Sequence, residues 1–143
     1  MSRVTIDFPE KSIFSTEIDV MITDLTGAMH VGNHVLVSYL TEAQMRFLVA
    51  LGFPELLVDG KLTMNTDLVV NYCAEVHYGD KLVVNVALGD IEDKGYDILF
   101  HITKNDGAKT VLRAKMGMVF IDLDIHRVCH VPQAFLIACS AAQ

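Results

Sequence analysis

Residues 33–54 read Asn-His-Val-Leu-Val-Ser-Tyr-Leu-Thr-Glu-Ala-Gln-Met-Arg-Phe-Leu-Val-Ala-Leu-Gly-Phe-Pro. Asn33 can cap a helix, Gly52 sits where a left-handed stop is expected, and Pro54 forbids continuation. Between them Leu36, Leu40, Ala43, Phe47 and Leu51 recur every three or four residues, and Val35, Val37, Tyr39, Met45 and Val49 widen the stripe. A surface helix leaves more of its circumference polar than this. The spacing predicts one helix of about five turns, enclosed by a curved sheet or by a sheet and a partner.

On its amino side, Val4, Ile6 and Phe8 form a short apolar lead-in that ends at Pro9. From Ile13 onward Phe14, Ile18, Val20 and Ile22 fall on one face, with Ser15, Glu17, Asp19 and Thr23 on the other, which is the pattern of a half-buried strand. Asp24 to Asn33 then reads as a loop carrying Gly27, His30 and Gly32. On the carboxyl side four strands are expected, over 68–76, 82–88, 96–102 and 112–120. Tyr78-Gly79-Asp80, Gly89-Asp90 and Asn105-Asp106-Gly107 supply the turns. Links this short require antiparallel neighbours. Pro132 to Ala142 reads as a short C-terminal helix.

The order is strand, long helix, then a meander, so residues 1–143 form one α+β domain with about five strands around one helix. A single helix covers only one face of the sheet. Outward-facing Val69, Cys73, Val83, Val111, Gly117, Val119 and Ile121 are apolar enough to meet a second copy. A homodimer is expected, with a homotetramer if the second face is also used.

Eighteen acids against eleven Lys and Arg give a net charge of −7, which argues against a nucleic-acid groove. No apolar run approaches the ~18 residues of a membrane span, and the first ten residues hold no secretory h-region. Cys73, Cys129 and Cys139 show no Cys-x-x-Cys spacing and fit buried thiols in a reducing compartment, so the cytoplasm is expected. His34, His77, His101, His126 and His130 have no metal-ligand spacing, so neither metal nor cofactor is expected.

The strand, glycine-bearing loop, central helix and meander resemble the hotdog fold of acyl-CoA thioesterases and related dehydratases. Asp24-Leu-Thr-Gly27-Ala-Met-His30-Val31-Gly32-Asn33 is similar to the loop of 4-hydroxybenzoyl-CoA thioesterase-type enzymes. The longer stretch, with Tyr39-Leu-Thr-Glu42-Ala-Gln44-Met-Arg46-Phe-Leu, is closer to a bacterial branch carrying His-x-Gly-Asn-Asp and then Glu-Ala-Arg. Tyr78-Gly79-Asp80 also lies where hotdog sequences place an aromatic-Gly-Asp turn. The likeness runs from about Phe14 to Ile121. His34 replaces the branch's Asp, Gln44 replaces its Arg, and Ala28-Met29 replace small glycines.

A helix starting just after a glycine loop aims free N–H groups and a positive dipole end into the space before it. The resemblance implies that the amide near Val31 or Gly32 polarises a thioester carbonyl there, and that Asp24 attacks the thioester or activates water. Read without the family, Asp24 serves equally as an Asx-turn. His30 either orients water and the acyl group or holds the loop. Asn33 is an N-cap whose amide can also touch the thioester oxygen, and His34 beside it is a candidate substrate contact. Glu42 is either a second carboxylate of the site or a partner for Arg46 at i+4.

Dimeric hotdogs build the acyl site between subunits, which makes Asn65 and Thr66 candidate contributors to the partner's site. Arg113 and Lys115 either meet the phosphates of coenzyme A or form a solvated strand face. The expected activity is hydrolysis of an acyl-CoA thioester. The alternatives are a hydroxyacyl dehydratase using His30 and Glu42, and a non-catalytic module that binds acyl-CoA.

Overall fold

The computed structural model describes residues 3–143. Its strands are β1 (Phe14–Asp19), β2 (Leu57–Val58), β3 (Lys61–Tyr72), β4 (Lys81–Ile91), β5 (Gly95–Lys104), β6 (Lys109–Asp122) and β7 (Arg127–Cys129). The helices are α1 (Asn33–Ala50) and α2 (Gln133–Ala142), and a 3-10 turn covers Ile22–Asp24. One antiparallel sheet runs in the order β1-β4-β5-β6-β3-β2, with β7 on the far end of β6. The five longest strands lie where strands were expected, but β1 stops at Asp19, leaving Ile22 exposed in the 3-10 turn rather than on the apolar face, and β3 ends at Tyr72 rather than Val76. β2 and β7, of two and three residues, are too short to show a period in sequence.

α1 lies against the inner sheet face. Leu36, Leu40, Ala43, Phe47 and Leu48 meet Leu82, Val84, Val86, Ile98, Phe100, Ile102, Leu112 and Phe120 in a single core. Its carboxyl end is a Schellman stop: Gly52 adopts φ +101°, its N–H donates to the Val49 carbonyl, and the Phe53 N–H donates to that of Leu48. Arg46 fastens the helix to β1, donating to Thr16 Oγ1 at 2.8 Å and to the Glu17 carbonyl at 2.7 Å. Among the described residues the helix is enclosed on this side, and Ser38, Thr41, Glu42 and Val49 face outward. Phe135 of α2 closes the end of the core by stacking on Tyr96 and Phe120, and Cys139 is buried beside it. Burial pushes the Cys139 thiol up to about 11.

Three further expectations change. β3 begins at Lys61 rather than Leu68, because a bulge between Asn65 and Asp67 breaks the alternation. Asp67 Oδ1 accepts the Gly117 N–H and Thr66 Oγ1 donates to the Gly117 carbonyl, a close approach for which residue 117 must lack a Cβ. Val111, expected outside, is buried: it is the extra residue where the β5–β6 register slips, and its carbonyl takes both the Cys73 and Ala74 N–H groups. The outer sheet face is partly taken by the chain itself. The amino-terminal segment crosses it, burying Ile6 and setting Phe8 5.4 Å from the ring of His101.

Across that outer face Ser15, Asn85, His101, Arg113 and Asn71 stand opposite one another on five successive strands. Burial, and then the Arg113 charge, push the His101 imidazole below its ordinary 6.5. The folded chain thus favours neutral His101, so unfolding takes up a proton as the pH falls below 6.5. His101 should therefore contribute a loss of stability as the pH falls from neutrality through 6.5 and below. Thermal melts across that range should show a shallower decline for His101→Gln than for the unaltered protein.

Candidate active site

The loop from Asp24 to Gly32 folds on itself. Thr26 and His30 pair through backbone, Thr26 Oγ1 donates to the His30 carbonyl, and Met29 takes the left-handed turn position at φ 64°. The Val31 N–H donates to the Val76 carbonyl at 2.8 Å, and the Gly32 N–H to the Asp24 carbonyl at 3.3 Å. These two amides, expected to polarise a substrate carbonyl, are thus already committed within the chain. Gly32, not Asn33, is the N-cap: its carbonyl accepts the Val35 and Leu36 N–H groups, and the Asn33 side chain makes no cap bond. The His34 ring and the Thr26 methyl fill the space where a Cβ at 32 would go.

The amides left open are those of Asn33 and His34, which have no acceptor among the described residues. They sit at the positive end of an 18-residue helix. In front of Asn33 lies an open cleft of about 300 Å³ whose wall is Tyr72, Cys73, Ala74 and Glu75. Val31, Leu36 and Val76 form its apolar floor, and His30 lines it as well.

Asp24 stands against the same helix mouth, its carbonyl accepting the Gly32 N–H, but it is not among the residues lining this cleft. Its Oδ2 accepts the Tyr39 hydroxyl at 2.6 Å and the Met21 N–H at 2.9 Å. Burial, then the hydrogen bond and the charge of Asp24, hold the Tyr39 hydroxyl far above the usual phenol value, so Tyr39 remains the donor. Glu42 lies outside this group, 3.3 Å from Arg46 on the open side of the helix. A pair this exposed contributes little to stability.

Asn65 and Thr66 sit at the β3 bulge, away from the cleft, where Asn65 donates to the Asp67 carbonyl. Beyond Leu62 the second edge of β3 pairs with no strand among the described residues. Lys115 is 3.3 Å from Asp97. Arg113 and Arg3 line an outer cleft of about 660 Å³ that shares Tyr72 and Cys73 with the helix-mouth cleft. Among the described residues no three His, Cys, Asp or Glu side chains converge as a metal site. Among them, too, no helix is long and apolar enough to cross a membrane.

Tyr39, Tyr72, Glu75 and His77 were not singled out from the sequence as site residues. Tyr39 falls in the apolar helix stripe, where its hydroxyl gives no separate signal. Tyr72 and Glu75 fall in a strand pattern roughly forty residues from the loop they face. The Tyr78-Gly79-Asp80 turn behind them is held firmly. Asp80 Oδ2 accepts the His77 N–H at 2.9 Å and Lys104 Nζ at 3.1 Å. Burial alone would raise the Asp80 carboxyl, but these two partners outweigh it and hold it below the usual value.

This architecture, one long helix held in a curled antiparallel sheet, is the hotdog fold. A profile of the thioesterase-like superfamily matches residues 17–139, and the chain belongs to that superfamily. It is similar to a solved 1,4-dihydroxy-2-naphthoyl-CoA thioesterase from Synechocystis, at 22% identity over 89% of this chain and 95% of that one, with TM-score 0.79. A thioesterase from Thermus thermophilus, solved with coenzyme A and zinc, has 20% identity over 94% and 96%, with TM-score 0.81. A gentisyl-coenzyme A thioesterase has 20% identity over 88% and 99%, with TM-score 0.79. Identities this low establish the fold alone. No curated protein matches significantly.

The Tyr39–Asp24 bond ties the loop to the helix. Tyr39→Phe should cost about 2 kcal/mol, the range for a hydrogen bond to a charged group. Urea denaturation of Tyr39→Phe, Asp24→Asn and the double variant checks this, with the double variant expected to lose less than the sum.

Proposed function

We propose that this protein hydrolyses acyl thioesters of coenzyme A in the cleft at the mouth of α1. The observation that carries the reading is the unoccupied amide of Asn33, which lines that cleft, with the equally open amide of His34 next to it at the start of α1, in a member of the thioesterase-like superfamily. A thioester carbonyl seated there gains negative charge on its oxygen as it is attacked, and two fixed N–H donors stabilise that charge without reorganising. Asn33 contributes both its amide and its side chain to the site, and His30 and His34 flank the bound group. Asp24, with Oδ2 held by Tyr39 and Met21, keeps Oδ1 as the base or nucleophile that the family resemblance implies. Arg113 and Arg3 would receive the phosphates of the coenzyme, because their cleft shares Tyr72 and Cys73 with the first. Lys115, paired with Asp97, has less to offer an anion.

A second copy would pair along the unpartnered β3 edge from Thr63 to Tyr72. That homodimer brings Asn65 and Thr66 of each copy to the boundary, and a dimer of dimers would then use the outer faces. A cytoplasmic setting suits three free cysteines. Hydrolysis is favoured over hydration of an enoyl thioester because His30 lines the cleft whereas Glu42 faces away with Arg46.

Release of free thiol from short, long and aromatic acyl-CoAs is the test. Turnover by the unaltered protein, with a fall of about 100-fold or more in Asp24→Asn, is the expected outcome. Tight acyl-CoA binding in calorimetry with no turnover would instead identify a non-catalytic binding module.

A further inference from the structure

Two carboxylates approach the mouth of α1, and they differ in what they are free to do. Asp24 accepts two hydrogen bonds on one oxygen and is not among the residues lining the helix-mouth cleft. Glu75 lines the cleft in front of the open helix amides, and its carboxylate accepts no hydrogen bond from the described residues. Its oxygens are therefore available to a water molecule held in that cleft.

The backbone beneath Glu75 is fixed on both sides. The Glu75 carbonyl takes Lys104 Nζ at 2.6 Å, and Lys104 is itself bound to Asp80, with its side chain only 11% exposed. The next carbonyl, that of fully buried Val76, takes the Val31 N–H, so the same segment that carries Glu75 also sets the start of α1. His77 pairs through backbone with His30 and brings its Nε2 to 3.6 Å from Glu75 Oε2. The carboxylate thus stands on a rigid base, beside an imidazole, with its head 70% exposed and able to return a proton to solvent.

We propose that Glu75 is the general base for the attacking water, which leaves Asp24 to act as the nucleophile or, through Tyr39, to hold the loop. The assignment rests on the hydrolase reading. Water must lose a proton whether it attacks the thioester directly or attacks an acyl group already passed to Asp24. In the direct case, water oxygen bonds to the carbonyl carbon while Glu75 takes its proton. The oxyanion formed rests on the Asn33 and His34 amides. It collapses with cleavage of the carbon–sulfur bond, and the coenzyme leaves as thiolate. The thiolate is protonated from solvent, Glu75 sheds its proton to solvent, and the acid departs as carboxylate. One water is consumed for each thiol and each acid formed.

The experiment compares the unaltered protein with Glu75→Gln and Glu75→Asp on acetyl-, hexanoyl- and benzoyl-CoA, following thiol release, with thermal melts confirming folding. Glu75→Gln should lower kcat by about 100-fold or more with KM within about threefold, and Glu75→Asp should keep part of the rate. Hydroxylamine needs no base to attack a thioester. Added to Glu75→Gln it should restore thiol release, above the rate without protein, and yield the hydroxamate. Unchanged kcat in Glu75→Gln overturns the assignment and leaves the hydrolase reading standing. A lost rate that hydroxylamine does not restore also overturns it, since the residue would then be structural. No thiol release by the unaltered protein from any substrate overturns the hydrolase reading itself.

Discussion

The Val31 N–H to the Val76 carbonyl, together with the Gly32 N–H to the Asp24 carbonyl, decides where α1 begins and what lies in front of it. A helix always leaves its first amides without internal acceptors, and their use depends on where the preceding chain is pinned. Here the loop satisfies the two amides before the helix and spares the first two inside it. The anchoring carbonyl belongs to Val76, next to Glu75 and directly ahead of the turn clamped by Asp80 and Lys104. A change in that turn is transmitted to the helix mouth through one peptide group.

The sheet supplies the stiffness this arrangement requires. Its inner face is filled by aliphatic and aromatic side chains packed on α1, so the helix cannot slide without opening cavities. Arg46 adds a polar tie from the helix to β1, and Phe135 closes the far end. The loop ahead of the helix carries its polar side chains on this fixed frame. The Tyr39 hydroxyl reaches back from the second turn to hold Asp24.

The outer face follows a different logic. Its polar row from Ser15 to Asn71 would be wet, yet Ile6 and Phe8 of the amino-terminal segment lie over it. Half-burying His101 beside Arg113 disfavours the charged imidazole, which is the physical origin of its lowered proton affinity. The lead-in Val4, Ile6 and Phe8 was visible in sequence as an apolar stretch, but its destination was not. A segment without a period states that it is apolar, not which face it covers.

Periodicity determined the helix bounds and the antiparallel meander, because 3.6- and 2-residue repeats and their turn residues are local properties. Gly52 and Asn105-Asp106-Gly107 were readable for the same reason, since left-handed backbone falls to a few residue types. Short motifs around Asp24, His30 and Asn33 pointed to the superfamily. The tertiary structure alone decided which amides stay open, that Tyr39 holds Asp24, that Glu42 turns to Arg46, and that Glu75 faces the cleft. Each of these depends on chain segments far apart in sequence or on the direction of a single side chain. Bulges at Asn65–Asp67 and Val111 shift those directions by one residue, and one residue is enough to exchange the inside and outside of a strand.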